Sequence, residues 1–201
     1  MTLSKIPQVT EAEFLLGARS SKQFPQEALT EIAIAGKSNV GKSSVLKLLL
    51  NRRKLVRISQ TPGRTREINF FKTVTKQLAP FIFADLPGYG YAKVNSKLQD
   101  EWGELITEYL SGREYLKLVV LLIDSRRGIS GYEIDFLLWL QQMNNNVVVV
   151  YTKVDKIPKN KRGNLLVQYQ KKLPQMPPPI LFSATKNTGL QELWKSIQNH
   201  I

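Results

Sequence analysis

The chain has 201 residues and a formal net charge of +13. That length suits one domain with a sizeable core, and that charge points to a polyanionic partner such as nucleic acid or an anionic surface. The absence of cysteine excludes disulfides and thiolate metal sites, and a single histidine, the penultimate His200, argues against a histidine base or a multi-histidine metal centre.

The first residues carry no long apolar stretch, so no secretion signal is expected. Residues 1–28 read as an N-terminal extension, in which "EAEFLLGA" can form a short extra helix. Residues 29–201 read as the main domain. "EIAIA" is a strand and Lys42–Asn51 a helix, followed by the basic loop Arg52–Arg66. "EINFFKTV" and "PFIFAD" are two strands joined by a turn and should pair antiparallel. "LQDEWGELITEYLSG" has the apolar spacing of a helix. "LKLVVLLID" and "NVVVVYT" are buried strands, too short to span a membrane. Between them "YEIDFLLWLQQM" is a helix. A basic helix Lys159–Lys172, a last strand "PILFS" and a closing helix "LQELWKSIQ" complete the chain. Strands separated by helices imply an α/β fold, a mostly parallel sheet with helices on both faces. The expected location is cytoplasmic, and nothing signals a dimer, so a monomer is expected.

"GKSNVGKSS" fits the phosphate-loop pattern G-x-x-x-x-G-K-[ST], set between a strand and a helix. Gly36, Lys37, Ser38, Asn39, Val40, Gly41, Lys42, Ser43 and Ser44 would wrap a diphosphate with main-chain N–H groups at a helix N-terminus. Lys42 would reach the β- and γ-phosphates, and Ser43 would ligate Mg2+. In "DLPG" (Asp85, Leu86, Pro87, Gly88) the carboxylate ends a strand, where it can hold a magnesium-bound water. Gly88 offers an N–H to the γ-phosphate. "TKVD" (Thr152, Lys153, Val154, Asp155) places a carboxylate where it can accept from guanine N1–H and the 2-amino group. Adenine would leave that carboxylate unpaired, a costly mismatch. In "FSA" (Phe182, Ser183, Ala184) the Ala184 N–H can donate to guanine O6.

These motifs, in this order, resemble those of translation-factor-class GTPases. "GKSNVGKSS", "TPGRTREINFF", "DLPGYGYAKV" and "TKVDK" resemble more narrowly the EngB (YihA/YsxC) family of the TrmE-Era-EngA-EngB-Septin-like superfamily. The resemblance implies a Ras-like P-loop NTPase fold with a mixed six-stranded sheet, and a GTP-binding domain over 29–201. It implies Mg2+-dependent binding of GTP and GDP and a role in assembly of the large ribosomal subunit, with a link to division and septation. It also implies that Thr65, beside Gly63 and Arg64, is the switch threonine that ligates Mg2+ when GTP is bound. Thr61 competes, but Pro62 and Gly63 make it look like a turn residue.

Three positions depart from the commoner pattern. Tyr89 stands where Ras-like enzymes carry the glutamine that orients the attacking water, so slow intrinsic hydrolysis is expected. Asn39 stands where potassium-stimulated GTPases carry asparagine, so its carbonyl can hold K+ beside the phosphates. It can equally serve only the loop. Thr152 replaces the asparagine of NKxD and lacks its amide. Arg64 and Arg66 are alternative sources of positive charge at the γ-phosphate.

Basic clusters at Arg52–Arg66, Arg126–Arg127, and Lys153–Arg162 with Lys171–Lys172 predict salt-dependent binding to ribosomal RNA of the large subunit or its precursor. No amphipathic anchor supports a membrane partner. The competing readings are a P-loop ATPase or kinase, and a GTP-regulated division factor acting on protein partners.

Overall fold

The computed structural model describes residues 6–52, 67–89 and 98–201. One sheet runs through them, built from β1 (Val9–Ala18), β2 (Glu31–Gly36), β3 (Ile68–Thr75), β4 (Phe81–Asp85), β5 (Leu116–Asp124), β6 (Val147–Thr152) and β7 (Ile180–Leu181). Its order is β1-β3-β4-β2-β5-β6-β7. The helices are α1 (Lys42–Leu49), α2 (Leu98–Gly112), α3 (Gly131–Gln142), α4 (Lys159–Lys172) and α5 (Leu190–Gln198).

The centre of the sheet is apolar on both faces. Every residue of β2 and β4 is buried, so helices must cover both sides. Ala33, Ala35, Leu121 and Ile123 face a cluster completed by α2, α3 and α4. Ile32, Ile34, Val120 and Leu122 face the cluster of α1 and α5. Strands β2, β4, β5, β6 and β7 run parallel. Their carboxyl ends, at Gly36, Asp85, Asp124, Thr152 and Leu181, therefore share one edge of the sheet. In open α/β sheets ligands bind along that edge.

The other end of β2 is pinned by a buried ion pair. Glu31 is fully buried, accepts from the Tyr109 hydroxyl at 2.8 Å and from Arg113 Nε at 2.9 Å. The Arg113 guanidinium also donates to Pro25 O at 2.7 Å and lies 4.9 Å from the centre of the Tyr115 ring.

Two expectations are corrected. The sheet has seven strands, not six. The extra one is β1, the segment that could read as a short helix. It pairs antiparallel with β3, with register breaks between Val9 and Glu11 and between Phe14 and Leu16. At the second break two β1 residues oppose one β3 step, so side chains change face. Phe14 packs with Phe71 on the α1/α5 side, while Leu16 and Ala18 pack on the other. That bulge hides the alternation which would have marked a strand. α2 keeps its expected bounds but bends at Gly103, whose φ of 73° is open to glycine.

Candidate functional site

The phosphate loop leaves β2 through Gly36 (φ 153°). A Cβ there would sit 2.7 Å from Leu122 O and 2.9 Å from the Val40 side chain, so only glycine fits. Asn39 has φ 63°. Asparagine tolerates this left-handed geometry better than most residues, which supplies a backbone reason for its place in the loop. Gly41 (φ 110°) caps the N-terminus of α1, from which Lys42 begins the helix.

Lys42 Nζ lies 3.4 Å from Gly36 O, inside the curl of the loop. Burial lowers its pKa, and the nearby Asp85 carboxylate opposes that shift. Asp85 ends β4 and is buried. Desolvation raises its pKa to about 6 despite the attraction of Lys42. Its Oδ1 is buried with no hydrogen-bond partner. An orphaned buried carboxylate oxygen near a half-buried lysine is a costly arrangement, and it fits a magnesium-bound water. Among the described residues no cluster of three or more histidine or acidic side chains makes a self-sufficient metal centre. A magnesium ion here would take Ser43 and, through water, Asp85, with phosphate and water completing its shell.

The DLPG turn is packed directly on the loop. The Ser38 hydroxyl donates to Gly88 O at 3.3 Å, and Ser38 N–H donates to Tyr89 O at 3.1 Å. A Cβ on Gly88 would come within 2.7 Å of Ser38 Oγ and 3.0 Å of Lys42 Nζ. Tyr89 is buried. Its ring stacks on Tyr132 at 4.7 Å, and its hydroxyl donates to Glu133 Oε1 at 3.3 Å, at the start of α3. Desolvation first, and the Glu133 carboxylate second, push its pKa far up. This phenol is a buried packing group, and its own backbone is paired with the phosphate loop at Lys37.

The TKVD segment spends two of its side chains on the phosphate loop. The buried Thr152 hydroxyl lies 2.7 Å from Val40 O and 3.3 Å from Ile123 O. Lys153 Nζ donates to Asn39 O at 2.7 Å and to Asp124 Oδ2 at 2.9 Å. Asp124 also receives Arg126 N–H at 3.1 Å, Nε at 2.9 Å and a terminal guanidinium nitrogen at 2.6 Å. Burial works to raise the Asp124 pKa, but the hydrogen bonds from Arg126 and Lys153 outweigh it and hold the carboxyl well below its usual range. A cavity of about 90 Å3 is walled by Lys37, Asn39, Asp124, Arg126 and Lys153.

Asp155 has its own partner in the next loop. The Ser183 hydroxyl donates to its Oδ1 at 2.7 Å, and that bond is the main cause of its lowered pKa. Ser183 is itself fixed, accepting Lys186 N–H at 3.2 Å. Val154 N–H donates to Phe182 O at 3.1 Å, so the two loops are tied together.

The fold thus gathers Gly36–Ser44, Asp85–Gly88, Thr152–Asp155 and Phe182–Ala184 at one edge of the sheet. Gly63, Arg64 and Thr65, with the alternative Thr61, lie outside the described residues. Two residues of the network were not anticipated. Asp124 had a signal of its own, a carboxylate ending a buried strand as Asp85 does. Arg126 was read only as part of a basic cluster. Among the described residues no helix is long and apolar enough to cross a membrane.

Comparison with known proteins gives this geometry a context. The family model described as 50S ribosome-binding GTPase matches residues 31–153. GTP-binding protein EngB of Clostridium kluyveri is 41% identical over 196 residues, covering 96% of this chain and 98% of that protein. Among solved structures, Era of Aquifex aeolicus bound to GDP and aluminium fluoride is similar with a TM-score of 0.66 at 29% identity. The match covers 85% of this chain, which spans 56% of Era. An Era complex with MgGDPNP and a segment of 16S ribosomal RNA is similar with the same TM-score at 28% identity, with the same coverage of both chains.

Proposed function

The chain belongs to the EngB family of GTP-binding proteins and is a GTPase, and from that premise we propose that it is a slow, magnesium-dependent switch in assembly of the large ribosomal subunit. Through that role it supports normal cell division and septation. The observation that carries the nucleotide part is Asp155, held by Ser183 at 2.7 Å, on the same sheet edge as a phosphate loop whose half-buried Lys42 lies near the buried Asp85 carboxylate. A net charge of +13 supports RNA as the partner. The similarity of Era, solved on a ribosomal RNA segment with MgGDPNP, supports the same class of ligand.

Slow turnover follows from Tyr89. Its side chain is committed to Tyr132 and Glu133 and offers no amide to a water. In this reading the phosphate loop and Asp85 bind and orient the nucleotide, Lys42 neutralises phosphate charge, and Mg2+ supplies further charge stabilisation. Thr65 would complete the magnesium shell in the GTP state. Asn39 would add K+ beside the phosphates. Equal GTP turnover in potassium and sodium buffers would remove the potassium role.

The test is co-sedimentation of the protein with purified large ribosomal subunits and their precursors. Binding with a non-hydrolysable GTP analogue and release with GDP is the expected result. No binding in either state would leave a division factor acting on proteins instead.

A further inference from the structure

The exposed face of α4 is charged in an unusual way. Its sequence, KNKRGNLLVQYQKK, holds five basic and no acidic residues. A helix that is merely solvated balances its lysines with carboxylates three or four positions away, and α4 has none. Two of the five cations are engaged: Arg162 Nε donates to Ile157 O at 3.1 Å and Lys172 Nζ to Ile129 O at 2.9 Å. Lys159, Lys161 and Lys171 are exposed. The inner side is fixed by the buried Tyr169, whose ring meets Tyr151 at 6.0 Å.

A second observation comes from Gly163. It lies in the interior of α4 with nothing within 4 Å of where its Cβ would be, and its φ is not positive. The fold gains nothing from a glycine there, and the helix is weakened by it. What a missing side chain does allow is close approach by an external backbone. The exposed Asn160 and Asn164 flank it and offer amide donors without charge.

We infer that the outer face of α4, from Lys159 to Lys171, docks the phosphodiester backbone of structured RNA, and that this contact does not depend on which nucleotide is bound. The inference rests on the ribosomal-RNA reading above and deepens it. The lysines supply phosphate contacts, the asparagines neutral hydrogen bonds, and Gly163 the clearance. Independence of the nucleotide follows from position. α4 is held to the sheet by its apolar side, and none of its residues belongs to the loops that meet phosphate. It acts as a constant anchor, so any preference for the GTP state must come from another surface.

The experiment measures affinity for deproteinised large-subunit ribosomal RNA against salt, with GDP and with a non-hydrolysable GTP analogue. The variants are Lys159→Glu/Lys161→Glu/Lys171→Glu and, separately, Gly163→Ala. The triple variant should lose at least tenfold in affinity in both nucleotide states. Its log–log salt slope should flatten by about 2, since each lost phosphate contact removes about 0.7–0.9. Its GTP turnover without RNA should be unchanged. Gly163→Ala should raise thermal stability and still weaken RNA binding severalfold. A stabilised Gly163→Ala that binds RNA as well as the wild type overturns the inference. So does a triple variant with unchanged affinity and slope, or one impaired in only one nucleotide state. A wild type that ignores RNA overturns the underlying ribosomal-RNA reading too. One that prefers anionic vesicles to RNA does the same, in favour of a membrane partner.

Discussion

Asp124 offers a sharp test of how the site is held together. Its carboxylate accepts Lys153 Nζ at 2.9 Å, and the same ammonium donates to Asn39 O at 2.7 Å. Asp124→Asn keeps the shape but removes the charge, and its one acceptor oxygen cannot take the donors that now reach both carboxylate oxygens from Arg126 and Lys153. The Asp124 side chain is 10% exposed and Lys153 31%. A hydrogen bond between charged groups in a buried setting contributes about 1.5–3 kcal/mol. Solvent at Lys153 discounts that to about 1–2 kcal/mol. If this energy preorganises the phosphate loop, its loss appears on binding, as roughly 5–30-fold weaker affinity. GDP and GTP should weaken alike, because the brace holds the phosphate loop at Asn39 O and does not touch the Asp85–Gly88 turn assigned to the γ-phosphate. Titration with a fluorescent guanine nucleotide measures this, alongside Lys153→Met and the double variant. If Asp124 acts through Lys153, the double variant is no weaker than Lys153→Met alone. Affinity within twofold of wild type for Asp124→Asn, or losses that simply add, refutes the brace.

Three further outcomes follow from individual contacts. The pKa of Asp85 rises from 3.8 to about 6 on folding, so the native state binds the extra proton between those values and its contribution to stability falls as pH rises through them. Without nucleotide, Asp85→Asn should therefore be more stable than wild type above pH 6, by about 3 kcal/mol at most, with the gap closing toward pH 4; denaturant melts across pH measure it, and a constant gap speaks against it. Tyr89→Gln should not accelerate GTP hydrolysis, because position 89 faces Tyr132 and Glu133; it should cost about 2–4 kcal/mol of stability, and a tenfold faster turnover would contradict the placement. Arg113→Ala leaves the fully buried Glu31 with Tyr109 alone and should cost about 3 kcal/mol or more in a melt, with GDP affinity unchanged because that pair sits at the far end of β2.

The placement of the candidate site was legible because each motif follows a strand whose apolar run is plain, so Gly36, Asp85 and Thr152 could be set at the carboxyl ends of parallel strands. What escaped was long-range. Lys153 is 29 positions from its partner Asp124 and 114 from Asn39. Tyr89 turns inward because of Glu133, 44 positions away. No window of sequence contains those pairs. β1 escaped for a local reason: its bulge sends Phe14 and Leu16 to opposite faces, so the two-residue period breaks in the middle. Thr152, which lacks the amide of NKxD, also has a distant partner: its hydroxyl is directed at Val40 O, 112 positions away.

That bond is one of two that join the TKVD segment to the phosphate loop. In TKVD, Thr152 and Lys153 both reach carbonyls of the phosphate loop, at Val40 and Asn39, while Asp155 alone faces away and is steadied by Ser183. The two bonded carbonyls are consecutive, and the first belongs to a residue in the left-handed conformation. A loop that must aim its N–H groups at phosphate has its carbonyls turned outward, where they need donors. The TKVD segment supplies those donors. Threonine suffices at the first position because the task is a single short hydrogen bond to main chain, which a hydroxyl performs as well as an amide. One motif therefore contacts the phosphate loop and also carries the carboxylate proposed to choose the purine. A change at Thr152 or Lys153 should loosen the phosphate cradle before it alters the choice of purine, whereas a change at Asp155 should do the reverse.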